Sequence, residues 1–259
     1  MSTASPIPPS GLTVAERHRH FLRQANWTRP LRNQLYRRCG LLNAETVVDV
    51  GCGTGAVTEE VAARTRGRVL GVDRDAASIA FARRAGTAVA YQVADACHLP
   101  FAAGEFQVVH SHFLLLWVAD PARAVREMWR VCRPGGYVVV CAEPDYGGRI
   151  DFPPEIAIGR LQVESLRREG ADPYAGRRLR ELFRQAGAEA DVGVLASVWT
   201  LAQHAAEFAD EWRFLEVAAR GLLPPDELAR LRGCDRLAIE SGVRLSFLPI
   251  FYALARKAS

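Results

Sequence analysis

The feature that most constrains the fold is the stretch VVDVGCGTGA at residues 47–56. Its first half is mainly β-branched, which is typical of a buried strand. Its second half places Gly51, Gly53 and Gly55 two residues apart, where bare backbone can lie directly against a ligand. A helical pattern follows from Thr58, and the first turn of a helix offers unpaired N–H groups. The stretch therefore predicts a strand, a turn and a helix that bind a ligand together.

Strand and helix patterns continue to alternate through the first 145 residues. Further strand patterns lie at residues 69–73, 89–94, 106–112 and 137–141. Between them, a helix over residues 58–66 is expected to stop at Gly67. Another is capped by Asp120-Pro121 and is expected to end at residues 133–136. This alternation predicts an α/β fold whose parallel sheet is covered by helices on both faces.

The rest of the chain is less regular. It shows a helical stretch at residues 12–40, a helix at 178–187, a sixth strand at 190–198 and a final strand at 247–255. Residues 149–172 and 201–242 have the pattern of helical insertions, which we expect to form a cap over the ligand site together with the N-terminal segment. The sequence thus divides into an N-terminal tail and helical segment, residues 1–40, and an α/β domain, residues 41–259.

Polar or backbone-exposing residues follow all five predicted parallel strands. They are Gly51, Asp73, Asp95, His112 and Glu143. Ligands of open parallel sheets bind outside the carboxyl ends of the strands. An acidic residue 22 positions after Gly51 also suits a carboxylate that accepts the hydroxyls of an adenosine ribose. Two ligand classes use such an arrangement, a dinucleotide and S-adenosylmethionine (SAM), and the spacing of Gly51, Gly53 and Ala56 satisfies the dinucleotide pattern GxGxxA.

Five motifs resemble those of the class I SAM-dependent methyltransferases, in particular the type 11 or UbiE-like enzymes that act on small molecules. They are VDVGCGTG, GVDRD, VADACHLPFAAGEFQVVHSHFLLLWVADP, REMWRVCRPGGYVVVCAEPD and the C-terminal FYALARK. The first four cover residues 40–145 almost continuously. The third glycine, Asp95 and the RPGG sequence distinguish this resemblance from dinucleotide enzymes. It implies a Rossmann-like, seven-stranded, mostly parallel sheet with an antiparallel last strand.

The resemblance also implies a set of cofactor-binding residues. Gly51, Gly53 and Gly55 would pass beside the methionine part of SAM, with Asp49 orienting that loop or the amino group. Asp73 would hold the ribose hydroxyls. The remaining implied contacts are Arg74 beside the adenine, Asp95 and Ala96 at its polar edge, and His112 and Phe113 on the methionine side. The product would be S-adenosylhomocysteine (SAH).

Methyl transfer from a sulfonium is an in-line displacement, so positioning the acceptor matters more than a general base. Positioning can contribute up to about 7–11 kcal/mol, whereas a base typically contributes about 10²–10⁴-fold in rate. His112 is the candidate base because it ends the fourth strand. His110, two residues earlier, points the same way and should lie deeper. Glu143 and Asp145 are candidates for binding or positioning the acceptor, and no metal ligand set is predicted.

Composition favours a small acceptor over a polymer. The net charge of +4 is modest for 259 residues, and the locally basic segment at residues 16–23 is interpreted as a solvated helix face. We expect six aromatic or histidine side chains to line an apolar or aromatic acceptor site: Trp27, Tyr146, Trp199, His204, Trp212 and Phe214. The six cysteines lack a CxxC pair, so neither disulfides nor a zinc ribbon is predicted. No apolar run could span a membrane, and a cytoplasmic monomer or homodimer is expected.

Four alternatives to small-molecule methylation remain open on sequence grounds. The chain could be a non-catalytic SAM-binding partner protein, or a methyltransferase that acts on RNA or protein. An arsenite methyltransferase would need several cysteines at one site, and the spacing of Cys52 and Cys141 does not match such a site. An NAD-dependent oxidoreductase would need a second nucleotide-binding half, which the pattern of residues 146–242 does not show.

Overall fold

Strands and helices occupy most of the described chain. The computed structural model describes residues 11–259, and the predicted Ser/Pro-rich tail up to residue 10 lies outside this range. Within residues 11–259 there are nine strands: β1 Thr46–Val50, β2 Arg68–Asp73, β3 Ala90–Val93, β4 Phe106–Ser111, β5 Cys132–Pro144, β6 Ile150–Phe152, β7 Asp191–Leu195, β8 Leu245–Phe247 and β9 Ile250–Arg256. The same range contains eight α-helices: α1 Val14–Arg38, α2 Thr58–Ala62, α3 Ala76–Arg83, α4 Pro121–Val131, α5 Ile158–Arg168, α6 Leu179–Gln185, α7 Leu201–Ala218 and α8 Pro225–Glu240.

Seven strands form one sheet in the order β3-β2-β1-β4-β5-β9-β7. Strands β1 to β5 pair in parallel, whereas β9 runs antiparallel to both of its neighbours, β5 and β7. The prediction of a Rossmann-like, mostly parallel sheet with an antiparallel last strand is confirmed. The strand order reverses between β1 and β4, and the carboxyl ends on either side of such a point leave a crevice for a ligand.

The two faces of the sheet bury separate apolar clusters. Strand side chains alternate between the faces, so Val138 and Val140 contribute to one cluster and Val139 to the other. Helices α4 and α6 cover the first face, with Val125 and Phe183 among their buried residues. The long helix α1 covers the second face, and its Leu35 is fully buried there. The helices therefore lie on both faces, as predicted.

Two helix ends differ from the sequence expectation. Helix α2 ends at Ala62 rather than at residue 66, and Gly67 does not act as a left-handed stop. Instead, the chain passes so close to β1 that a Cβ on Gly67 would lie 2.1 Å from the carbonyl oxygen of Ala44. After α4, the expected turn at residues 133–136 belongs to β5, where it forms an irregularity in the pairing with β4.

The cap contains a small sheet that the sequence did not reveal. Strands β6 and β8 pair antiparallel; β6 lies in the insertion expected to be helical, and β8 lies where the second insertion meets the expected last strand. They are only three residues long, too short for an alternating pattern to be recognised. Helices α5, α7 and α8 lie within the segments that were expected to be helical, and α8 begins at Pro225.

A separate apolar cluster holds the cap together. Trp212 is fully buried in it and donates from Nε1 to Asp235 at 2.7 Å. Asp235 also pairs with Arg244, which pairs in turn with Asp151 in β6. No helix within residues 11–259 has both the length and the apolar character needed to cross a membrane.

Candidate functional site

A cavity of about 1530 Å³, counting the open space at its mouth, lies at the carboxyl ends of β1, β2, β3 and β4. We call it the strand-end cavity. Its lining includes every predicted cofactor residue except Gly55: Asp49, Gly51, Gly53, Asp73, Arg74, Asp95, Ala96, His112 and Phe113. The segments that follow four different strands thus meet at one edge of the sheet, as their order in the chain predicted.

The loop after β1, residues 51–55, needs glycine where it meets the loop after β4, and we call it the glycine loop. Gly51 has a φ of +75°, and a Cβ there would lie 2.5 Å from Cδ1 of Leu114. Gly53 and Gly55 also have positive φ angles, which glycine adopts without the steric penalty of other residues. The loop is held by the N–H groups of Gly51 and Cys52, which both donate to the carbonyl of Val72 in β2.

Asp73 is held at the end of β2 by two backbone donors. Its Oδ2 accepts from the N–H of Gly53 at 2.8 Å, and its Oδ1 accepts from the N–H of Asp75 at 2.8 Å. Burial raises the pKa of the Asp73 carboxyl, and these two N–H groups oppose that rise. A carboxylate offers about four acceptor positions, so about two remain for a ligand. This capacity fits the two hydroxyls of a ribose.

Asp49 is almost fully buried, and both of its oxygens have protein partners. Oδ2 accepts from the hydroxyl of Thr58 at 2.7 Å, and Oδ1 lies 2.8 Å from Nδ1 of His110. Burial lowers the pKa of His110, but Cys141 and Asp49 outweigh this and raise it to about 10. The arrangement ties the glycine loop and α2 to β4, which favours the loop-orienting role expected for Asp49.

His112 lies in the cavity lining with one ring nitrogen held by helix α1. Its Nε2 is 2.8 Å from the hydroxyl oxygen of Thr28, which also accepts from Arg32. Burial lowers the pKa of His112 well below its usual value, and the positive charges of Arg32 and His110 add to this. The imidazole is therefore neutral near pH 7 and can accept a proton. As predicted, His110 lies deeper than His112.

The structure does not bring Glu143 or Asp145 into the lining of this cavity. Glu143 is fully buried and accepts from the backbone N–H groups of residues 114, 115 and 116 at 2.7–3.3 Å. Burial raises its pKa to about 7, and the three N–H donors oppose that rise. Asp145 caps a short turn through the N–H of Gly148 and pairs with Arg177. Both carboxylates thus hold loops at the edge of the site.

Helix α1, which was expected to belong to the cap, supplies a wall of the cavity with side chains that sequence reasoning did not assign to the site. The segment at residues 16–23, expected to be a solvated face, places Arg17, His20 and Phe21 in the lining. Arg17 is buried and pairs with Asp75 at 3.0 Å, while His18 Nδ1 lies 2.9 Å from the Thr54 hydroxyl. The local sign that this segment is buried was the recurrence of aromatic rings along the helix. The neighbouring arginines made this sign difficult to recognise.

The strand-end cavity is richer in carboxylates than in cations. Its carboxylates are Asp49, Asp73, Asp75, Asp95 and Glu169, and its arginines are Arg17 and Arg74. Oxygen Oε2 of Glu169 is buried without a hydrogen-bond partner among the described residues. Such a lining favours a ligand with positive charge. The glycine loop, the acceptor capacity of Asp73 and this excess of acidic groups together fit SAM, whose sulfonium and amino groups are cationic.

A second cavity of about 800 Å³ lies under the cap, and we call it the cap cavity. Of the six predicted acceptor-site residues, Trp27, Tyr146, Trp199 and Phe214 line it. The expectation was wrong for Trp212, which is in the cap core, and for His204, whose Nε2 instead lies 3.2 Å from the Ser246 hydroxyl. Five residues line both cavities: His20, Gln24, Tyr146, Gln162 and Phe214.

Comparison with known proteins agrees with this geometry. Residues 48–140 match the family model described as a methyltransferase domain. An uncharacterised 37.1 kDa transposon protein of Streptomyces fradiae is 36% identical over 206 residues, covering 75% of this chain and 58% of that protein. A ubiquinone biosynthesis O-methyltransferase of Pseudomonas paraeruginosa is 39% identical over 115 residues, covering 42% and 49%. The chain thus spans about half the length of these relatives.

The fold recurs in solved structures. A putative methyltransferase from Bacillus halodurans superposes with a TM-score of 0.59 at 18% identity, covering 88% of this chain and 98% of that one. The matched residues 48–140 contain the glycine loop, Asp73, Asp95 and His112, which the structure brings together at the strand-end cavity. Residues 48–140 therefore form a methyltransferase domain of the class I SAM-dependent type, and its cofactor is S-adenosylmethionine.

Proposed function

We propose that this protein transfers the methyl group of SAM to a small organic acceptor bound in the cap cavity. SAM held in the strand-end cavity supplies an electrophilic methyl group on a positively charged sulfur. The chain holds that ligand on Asp73 and the glycine loop. It also presents the acceptor to the side of the methyl carbon that faces away from the sulfur. The observation that carries the proposal is that the two cavities adjoin through five shared lining residues.

The junction between the cavities has polar groups that can orient an acceptor. Gln24 and Gln162 carry amide groups there, and Tyr146 carries a phenol. Burial raises the pKa of Tyr146 to about 12, so this phenol remains protonated at neutral pH and can donate a hydrogen bond. These groups would hold the reacting atom in line with the methyl group, which is where most of the rate enhancement is expected to arise.

His112 is the proposed base for acceptors that lose a proton. It lines the strand-end cavity, and burial lowers its pKa, which favours the neutral imidazole that a base requires. We assign positioning roles to Glu143 and Asp145, since their carboxylates are engaged by loop N–H groups and by Arg177. An aromatic or apolar acceptor is supported by the rings that line the cap cavity.

The test is to follow SAH release from SAM with a panel of small acceptors, including phenols, amines, carboxylates and apolar rings. We expect SAH to form only when protein and a suitable acceptor are both present, with a methylated product in the same amount. Gln162→Phe should narrow the junction and slow turnover about tenfold or more, while SAH affinity remains within about twofold. Glu164→Phe, at an exposed position of the same helix, is the matched control.

A chain of this fold need not transfer methyl groups, since one solved structure of similar fold is described as a [4+2]-cyclase, with a TM-score of 0.59. SAH binding without turnover over the whole panel would contradict the proposal and favour a non-catalytic SAM-binding protein. Turnover that Gln162→Phe and Glu164→Phe leave equally unchanged would contradict the assignment of the acceptor to the cap cavity.

A further inference from the structure

The cations that line the cap cavity are already paired with protein carboxylates. The guanidinium of Arg149 donates to Asp151 and, at 2.8 Å, to the side-chain oxygen of Gln162. Arg23 lies at the other side of the cavity and pairs with Glu207 and with Asp210. A carboxylate or phosphate ligand entering this cavity would therefore compete with anionic groups that already hold both arginines.

Glu211 is the acidic residue in the lining of the cap cavity, and its carboxylate has few protein partners. It projects from α7, and its contact with Arg149 Nη2 is long, at 3.5 Å. No residue within 11–259 donates a hydrogen bond of ordinary length to this carboxylate. Burial raises the pKa of Glu211, although Arg149 opposes the rise. A hydrogen-bond donor on a ligand would stabilise the ionised carboxylate, because buried charged groups without donors are costly.

The walls of the cap cavity favour a flat ring. The imidazole of His20 stacks on Phe214 with centroids 4.1 Å apart and planes 4° apart. Trp27 meets Trp199 edge to face at 5.1 Å. Aliphatic side chains, including that of Ile250, complete the lining. Aromatic surfaces of this kind pack well against planar ring systems.

We propose that the cap cavity selects an uncharged, flat aromatic acceptor bearing a hydroxyl group, which donates its hydrogen bond to Glu211. The same carboxylate disfavours anionic acceptors, because no unpaired cation lines the described part of the cavity to offset the repulsion. Glu211 acts here as a residue that determines specificity. This inference rests on the proposed function only in taking the cap cavity as the acceptor site.

The test uses three matched probes with the SAH-loaded protein at pH 7.5: 2-naphthol, 2-methoxynaphthalene and 2-naphthoate. They share one ring system and differ in carrying a hydroxyl donor, no donor or a negative charge. Binding is followed by calorimetry and by quenching of tryptophan fluorescence, so no turnover is required. We expect 2-naphthol to bind about tenfold more tightly than either of the other probes, which is the effect of one good hydrogen bond to a charged group.

The matched variants are Glu211→Gln and Glu216→Gln, which lie on the same helix. Glu216 is half-exposed outside the cavity lining and pairs with Arg232. We expect Glu211→Gln to reduce the preference for 2-naphthol over 2-naphthoate about tenfold or more, and Glu216→Gln to leave it unchanged. Circular dichroism and SAH affinity verify that each variant is folded.

Three outcomes would overturn the inference. They are 2-naphthoate binding at least as tightly as 2-naphthol, a preference that survives Glu211→Gln, and no binding of any of the three probes to the SAH-loaded protein. The failure of the proposed function is a different result, since it would show as SAH binding without turnover over the whole acceptor panel. SAH release measured on the same samples separates the two.

Discussion

The hydrogen bond with the Thr28 hydroxyl determines which ring nitrogen of His112 carries the proton. The hydroxyl oxygen accepts from Arg32, and its hydrogen can be donated to the carbonyl of Gln24 at 3.2 Å. The arrangement that satisfies every group has His112 Nε2–H donating to the second lone pair of Thr28. Nδ1 is then an unprotonated acceptor, and no described residue donates to it. Thr28 is thus a positioning residue for the proposed base.

At this scale we predict that His112→Ala lowers kcat far more than SAM affinity, within the range of about 10²–10⁴-fold that a general base contributes. Thr28→Val keeps the size of the side chain but removes the hydroxyl. It should lower kcat about twofold or more, since the imidazole then loses the partner that orients it and samples both tautomers. Single-turnover kinetics and calorimetry with SAH measure the two effects separately. Unchanged turnover in His112→Ala would remove this residue from the mechanism.

The pH dependence provides a readout that a purely structural role would not change. The active form of the proposed base is neutral, so activity falls only when the pH drops through the pKa of His112. Burial and the charge of Arg32 lower that pKa, so kcat should stay level from pH 8 to about pH 6.5 and fall only in more acidic solution. His112→Ala should lack this acidic fall in its remaining activity.

Among the structural elements, the short turn after β4 depends most on a single side chain. This turn, Leu115–Trp117, has no side-chain cap of its own. Its backbone N–H groups donate to Glu143, which reaches across from the end of β5. The residue before the turn is in van der Waals range of the glycine loop, as the 2.5 Å approach of a Cβ on Gly51 to Leu114 shows. Glu143 therefore fixes one wall of the strand-end cavity.

We predict that Glu143→Gln lowers the free energy of unfolding by about 1–3 kcal/mol, because the new NH₂ group cannot accept from the N–H of Leu116, which the second carboxylate oxygen now satisfies. SAH affinity should fall as well, since the turn contributes to the cavity lining. Urea denaturation and calorimetry measure the two effects. The exposed Glu45→Gln is the control, and equal stability of the two variants would contradict this role.

The elements differ in how far the sequence could predict them. The sheet strands were predictable because buried β-branched runs are local signals. The helices α3 and α4 begin at the N-cap residues Asp75 and Asp120, which are local signals too. The cap strands β6 and β8 were not, because a pair of three-residue strands is specified by tertiary contacts. The burial of residues 16–23 in α1 was missed for a related reason: it depends on partners such as Asp75, far away in the sequence.

Across the whole molecule, the two cavities differ in charge. The strand-end cavity collects carboxylates, which suits a cationic cofactor, whereas the arginines beside the cap cavity are paired. The predicted cofactor residues of the first cavity follow four strands of a sheet whose order the resemblance predicts, so the sequence could place them together. The residues of the cap cavity come from α1, α5 and α7, from β7, β8 and β9, and from the loops between these elements, and no motif relates these segments. Its aromatic set was therefore only partly predictable, and Glu211 was missed.

The most direct test of the account is calorimetric titration of the protein with SAM, SAH and NADH. We predict that SAM and SAH bind with dissociation constants of roughly micromolar size and that NADH does not bind. Asp73→Asn should weaken both adenosyl ligands about tenfold to a hundredfold through lost hydrogen bonds, whereas Asp226→Asn, at an exposed position of α8, should not. Binding of NADH without SAM or SAH, or equal affinities in the two variants, would contradict the assignment of the strand-end cavity.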